Sequence, residues 1–218
     1  CGVYSLEKDG VKYYFIDNEY YFKRPALYGF GDDGERYAYF CKAIPEVMRR
    51  LNYYPDILHA HDWQAALSVV YLNRFYRTLP EFKDIKTVFT IHNIEYQGQY
   101  DFSILGDVFA LGEEDHNLMD HSGCINLMKA AIECADAVST VSPRYADEIK
   151  TAEYAHGLQY CLQDNAHKLR GILNGIDYTY YNPENDPVLL ANFTPTRMAG
   201  KAKDKTAMQK EAGLPERK

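Results

Sequence analysis

Two short stretches, "HAHDW" (59–63) and "TIHN" (90–93), hold the residues best suited to chemistry. His59, His61 and Asp62 bring two imidazoles and a carboxylate into one turn of chain, which could ligate a metal, contact a polar substrate or cap a following helix. Two histidines and an aspartate from a single turn rarely complete a catalytic metal shell, and His116 and His121 stand elsewhere without ligand-like spacing. Of the three readings, metal ligation is the least favoured. In "TIHN" an imidazole, His92, is followed by a carboxamide, Asn93, a pair that can hydrogen-bond a hydroxyl-rich substrate near neutral pH. His92 is the stronger candidate, and its competing reading is a histidine packed under the next loop. For Asp62, cap and substrate contact both stand open, with His59 and His61 as scaffold.

These residues need elements to place them. "VKYYFIDN" (11–18) reads as a strand, and a Pro/Gly-rich loop leads to a helix from about Gly34 to Leu51, with Tyr37, Phe40, Cys41, Ile44, Val47 and Met48 at helical spacing and Asp32 or Asp33 as cap. "PDILHA" (55–60) is a strand that runs into an amphipathic helix over 62–76. The β-branched and aromatic run "KTVFTIHN" (86–93) predicts a strand buried on both faces of a parallel sheet. Residues 94–122 lose periodicity, as lids and binding loops do. Helices over 125–135, 143–150 and 157–169 alternate with strands at 136–142 and 170–175, Ser142-Pro143 serves as N-cap and N1, and Asn174-Gly175 suggests a turn. A polar segment with Pro183, Pro187 and Pro195 precedes a final helix over 196–215. Alternating strands and helices predict an α/β fold, a Rossmann-like parallel sheet with helices on both faces, whose ligands bind beyond the carboxyl ends of the strands. Both candidate stretches fall there.

Composition narrows the function classes. The 218 residues are 46% hydrophobic, enough for a sizeable core, and 24 Lys and Arg against 31 Asp and Glu give a net charge of −7. That charge disfavours a nucleic-acid backbone as partner. Five scattered cysteines without a CxxC fit reduced thiols, and no apolar run approaches the roughly 20 residues that span a bilayer. The start, "CGVYSLEKDG", lacks Met and any leader pattern, suggesting a processed chain or a fragment. GxGxxG, GxxxxGK[ST] and GxSxG are all absent, so dinucleotide, P-loop and nucleophile-elbow chemistry find no support. The 20 tyrosines suit half-buried boundary positions and could also stack on sugars.

Taken together, "YYFIDNEYYFKRPALYG" (13–29), "GERYAYFCKA" (34–43), "PDILHAHDWQAAL" (55–67), "TVFTIHNIEYQG" (87–98), "NLMKAAIECADAVSTVSPRYADEI" (126–149), "LRGILNGIDYTYYNP" (169–183) and "KAKDKTAMQKEAGLP" (201–215) resemble the starch and glycogen synthases in content and order. These are retaining glycosyltransferases of the GT-B type that extend an α-1,4-glucan from ADP-glucose. The resemblance implies part of the N-terminal Rossmann-like domain over 1–174 and, over 175–218, an interdomain linker with the start of a C-terminal domain. The family's opening Lys-Thr-Gly-Gly motif and its second domain are absent, and the chain alone is expected to be inactive. By the same resemblance His92 is the catalytic candidate at the glucosyl unit. Asp62, Tyr28 and Asn174 line the cleft, while Asn93, Tyr96, Gln97 and Gly98 belong to the stretch facing it. The implied partners are ADP-glucose as co-substrate, a glycogen or starch acceptor and the missing segments of the same protein, with no cofactor and no metal. The implied location is the cytoplasm, or the plastid in a plant. Three alternatives remain: a non-catalytic glucan-binding module, a GT-B enzyme using another nucleotide-sugar, and a metal-dependent hydrolase built on "HAHD".

Overall fold

The computed structural model describes residues 1–216. A hairpin comes first: β1 (Gly2–Lys8) and β2 (Val11–Asp17) pair antiparallel from Gly2 opposite Asp17 to Lys8 opposite Val11. Asp9 and Gly10 take φ of 53° and 76°, the sign that a type I′ two-residue turn needs at both positions. The sequence reading found only the second strand of this pair. A single turn, α1 (Glu19–Phe22), is capped by Asn18. After the Pro/Gly loop, α2 (Asp33–Leu51) runs for 19 residues and ends on Asn52 in the left-handed conformation, a common helix stop.

The functional part is a parallel sheet. β3 (Ile57–His61) leads without a loop into α3 (Asp62–Tyr71), which continues as a π-helical turn over Leu72–Tyr76. β4 (Lys86–Ile91) follows. The stretch predicted to be irregular, 94–122, contains β5 (Gln99–Tyr100), α4 (His116–Met119) and β6 (Asp120–His121); β7 (Cys124–Asn126) follows it, takes up the first two residues of the helix predicted over 125–135, and pairs antiparallel with both β5 and β6. Next come α5 (Leu127–Cys134), β8 (Ala137–Thr140), α6 (Pro143–Glu148), capped by Ser142 as predicted, α7 (Gln159–Asp164) and β9 (Leu169–Gly171). The sheet order is β3-β4-β8-β9, every neighbour parallel.

Burial follows strand position. In β4, Thr87, Phe89, Thr90 and Ile91 are buried on both faces, and each fully buried apolar side chain contributes about 1.5–3 kcal/mol. On the edge strand β3 the face carrying Ile57, His59 and His61 is exposed, while Ala60 points into the core. α3 packs against α2 and α5 and buries Ala66, Leu67, Val69 and Val70, which fixes the direction in which β3 delivers its last residues.

The chain divides into two compact units, residues 1–173 and residues from Asn174 onward. Within the second unit the Asn174-Gly175 step forms no turn, and α8 (Ala199–Glu211) is shorter than its predicted span. Among the described residues no helix is long and apolar enough to cross a membrane.

Candidate active site

Parallel pairing places the ends of β3 and β4 side by side, with His61 opposite Thr90. Asp62 therefore sits at the mouth of β3 and His92 one residue beyond β4. The Asp62 Oδ1 accepts the backbone N–H of His92 at 2.8 Å. This is a different job from the predicted cap: the α3 N-terminus has no side-chain cap hydrogen bond. Asp62 takes φ of 55°, a left-handed conformation that Asp tolerates better than most residues. With no loop between strand and helix, that single residue makes the reversal, and its carboxylate turns across to the neighbouring strand.

Three imidazoles cluster beside this link. The Nδ1 of His61 lies 3.0 Å from Nε2 of His92. The rings of His59 and His61 are 4.2 Å apart, and those of His61 and His92 5.3 Å apart. Behind them a hydrogen-bonded row crosses three strands, from His59 Nε2 to Thr90 Oγ1 at 2.6 Å and on to Ser139 Oγ at 2.6 Å. Burial pushes the pKa of His59 below the ordinary 6.5, helped by the nearby His92. His61 is lowered for the same first reason, with His59 and His92 adding to it and Asp62 opposing. Both rings are thus held neutral at physiological pH.

His92 and Asn93 are exposed, and the loop after them is pinned from below. Asn93 Oδ1 accepts the N–H of Glu95 at 3.0 Å, and the N–H of Ile94 donates to the Tyr145 hydroxyl at 3.2 Å. Tyr96 is 50% exposed and its ring meets that of Tyr28, itself 47% exposed, at 6.4 Å. The structure thus brings two predicted residues from distant segments into one aromatic pair.

Gln97 and Gly98 were expected to face a ligand and instead face the interior. Gln97 is 4% exposed. Its Nε2 donates to the carbonyls of Ile94 and His156, both at 3.0 Å, while Oε1 accepts from Asn126 at 2.6 Å and Gln99 at 3.3 Å. All four positions of the carboxamide are filled by protein. Gly98 has φ of +67°, and a Cβ there would lie 2.8 Å from Trp63 Cε3. These two residues close the loop onto the core. Asn174 is exposed at the head of the second unit.

Arg36 escaped the sequence reading, and Asp33 was read only as a possible helix cap. Arg36, only 2% exposed, pairs with Asp33 Oδ1, and its Nη2 donates to the Leu27 carbonyl at 3.2 Å, which also accepts from Tyr37 Oη at 2.6 Å. Asp33 Oδ2 accepts the N–H groups of Gly29 and Phe30 at 2.5 and 3.0 Å. Tyr28 is thereby fixed on both sides. The only available signal was the charged pair inside "GDDGER", which also reads as a solvated helix start. Among the described residues no group of three or more His, Cys, Asp or Glu is arranged to hold a metal ion.

Against known proteins, the family model for the starch synthase catalytic domain matches residues 1–164. The glycogen synthase of Lactococcus lactis is 48% identical over 216 residues, covering 98% of this chain and 45% of the relative. That of Geobacillus stearothermophilus is 46% identical over 220 residues, covering 99% and 45%. Among solved structures, the catalytic domain of starch synthase IV from Arabidopsis thaliana, bound to ADP and acarbose, superposes with a TM-score of 0.78 at 36% identity, covering 99% of this chain and 45% of that one. The chain spans about half the length of the curated relatives it matches. Through residues 1–164, which hold the whole strand-end cluster, it belongs to the starch synthase catalytic domain family.

Proposed function

We propose that this chain is the part of a GT-B glucosyltransferase that receives the glucosyl unit, within an enzyme that moves glucose from ADP-glucose to the non-reducing end of an α-1,4-glucan with retention. The observation that carries it is the Asp62–His92 link between adjacent strand ends, with the exposed His92 ring beyond it. Leaving-group departure from ADP-glucose generates a cationic, oxocarbenium-like sugar beside a diphosphate, so the enzyme must hold the ring and stabilise the leaving group together. In this reading His92 contacts the glucosyl unit, while Asp62 sets its backbone and lines the cleft with Asn93. Tyr28 and Tyr96 offer aromatic faces to sugar rings. Gln97 and Gly98 shape the loop from inside. Groups that neutralise the diphosphate belong to the share of the relatives' length that this chain does not cover, and no metal or cofactor takes part.

Two facts support the reading: relatives named glycogen synthase match nearly all of the chain, and the solved neighbour holds ADP and acarbose. The relatives' name favours glycogen as the acceptor, and their bacterial sources favour the cytoplasm. The test is a chimera in which this chain replaces the matching segment of the Lactococcus lactis relative, assayed for transfer from ADP-glucose to glycogen. The chimera is expected to transfer glucose and the 218-residue chain alone to show none. A folded chimera without transfer, or turnover by the chain alone, contradicts the assignment. Firm retention of an inactive chain on glycogen would favour the glucan-binding module instead.

A further inference from the structure

The contact between His61 and His92 constrains protons as well as positions. A neutral imidazole has one N–H donor and one acceptor nitrogen. Nδ1 of His61 faces Nε2 of His92 at 3.0 Å, so one of these atoms must carry the hydrogen and the other must lack it. Either both rings are Nδ1–H tautomers, with His61 donating, or both are Nε2–H tautomers, with His92 donating. Mixed pairs place two donors or two lone pairs against each other.

We propose that His61 is a positioning residue: by engaging Nε2 of His92 it couples the tautomers of the two rings and leaves Nδ1 as the His92 ring nitrogen offered to a ligand. The proposal rests on the reading of His92 as a sugar contact only for its consequence, since the tautomer itself is a property of the free chain. Among the described residues Nδ1 of His92 carries no hydrogen bond, whereas the surroundings of His61 are well fixed. His61 is the last residue of β3 and pairs with Thr90. Its ring lies 4.2 Å from that of His59, tilted by 32°, and His59 is itself tied to Thr90 and through it to Ser139. On the other side Asp62 holds the backbone of His92. The His61 ring is stacked on His59 and the His92 backbone is held by Asp62, so the fold brings the two rings to within 3.0 Å. The groups that act on His61 are His59 and His92, which disfavour its protonation together with burial, and Asp62, which favours it. A doubly charged pair would set two donors nose to nose and break the contact. Fixing which nitrogen faces outward matters because a second interaction at the other ring nitrogen commonly sets the role of a functional histidine.

The test is long-range proton–nitrogen NMR of the 15N-labelled 218-residue chain at pH 7.5, with the His92 ring identified by its loss in His92→Gln. The His61 ring is identified in the same way by its loss in His61→Phe, and the expected result is that His61 and His92 report the same tautomer, Nδ1–H in both or Nε2–H in both. In His61→Phe, which keeps a ring over His59 and removes the nitrogens, the His92 nitrogen signals should shift away from their position in the unaltered chain. Opposite tautomers in the two rings of the unaltered chain overturn the proposal, as do unchanged His92 nitrogen signals in a folded His61→Phe. If that variant fails to fold, His61→Ala is read in the same way, and the unaltered chain alone still decides the first point. No ligand is needed, so an inactive chimera would remove the sugar-contact reading and leave this result standing, while opposite tautomers in the two rings would do the reverse.

Discussion

His92 to Tyr96 and Gln97 to Gly98 are consecutive in the chain and opposite in character. The first group follows β4 into the open, with His92, Asn93, Glu95 and Tyr96 exposed around one buried anchor, Ile94. The second turns inward, where the Gln97 carboxamide is fully bonded by protein and Gly98 lies against Trp63. A residue can contact a ligand only with atoms the protein has not already engaged, and this loop separates the two kinds within seven residues. Substitutions in the inner pair should therefore lower stability, and those in the outer group should lower activity and leave the melting temperature nearly unchanged.

The comparison would break first at Gly98. Gly98→Ala adds a Cβ 2.8 Å from the Trp63 ring at a φ of +67°, and overpacking plus left-handed strain is expected to cost about 3 kcal/mol. Urea denaturation followed by circular dichroism measures this, and a loss below about 1 kcal/mol would show that the loop is not clamped there. Gln97→Leu comes next: the Asn126 amide and the carbonyls of Ile94 and His156 lose a partner, for an expected loss of about 2 kcal/mol. Unchanged stability would return Gln97 to the ligand-facing group. The smallest effect concerns pH. His59 and His61 have pKa values below the ordinary 6.5 in the folded chain, so as pH falls through that value the unfolded chain binds protons first and stability declines. Above it they contribute no pH dependence. The urea midpoint should fall slightly from pH 7.5 to pH 6.0, and less so in a His59→Gln, His61→Gln double variant. An equal decline in the double variant would place its source elsewhere.

Much of the fold was legible because patterns of burial repeat along the chain. The buried run of β4, the apolar spacing of α2 and the Ser142-Pro143 start of α6 each follow from local chemistry. The parts that were not legible depend on neighbours distant in sequence. β1 exists because β2 pairs with it, and β7 organises the 94–126 stretch by pairing with β5 and β6, both earlier in the chain and on either side of it in the sheet. Asp62 looked like a helix cap by residue type, and only the adjacency of β3 and β4 turns its carboxylate to His92. His61 looked like scaffold for the same reason, since its contact is 31 residues away in the chain. Gln97 was misplaced because a polar residue in a loop reads as exposed unless its partners, two of them from the distant His156 and Asn126, are known. Tyr28 and Tyr96 were singled out by family resemblance, and their ring contact was not inferable from spacing.

The central claim is that the exposed strand-end histidine takes part in glucosyl transfer. The most direct measurement is kcat for ADP-glucose-dependent glycogen extension by the Lactococcus chimera carrying His92→Ala, beside its melting temperature. We predict a fall in kcat of about 100-fold or more, as loss of a positioned group at a reacting centre gives, with melting within about 2 °C of the parent, since an exposed side chain adds little stability. Near-parental kcat in a folded His92→Ala chimera would contradict the account and return His92 to a structural role.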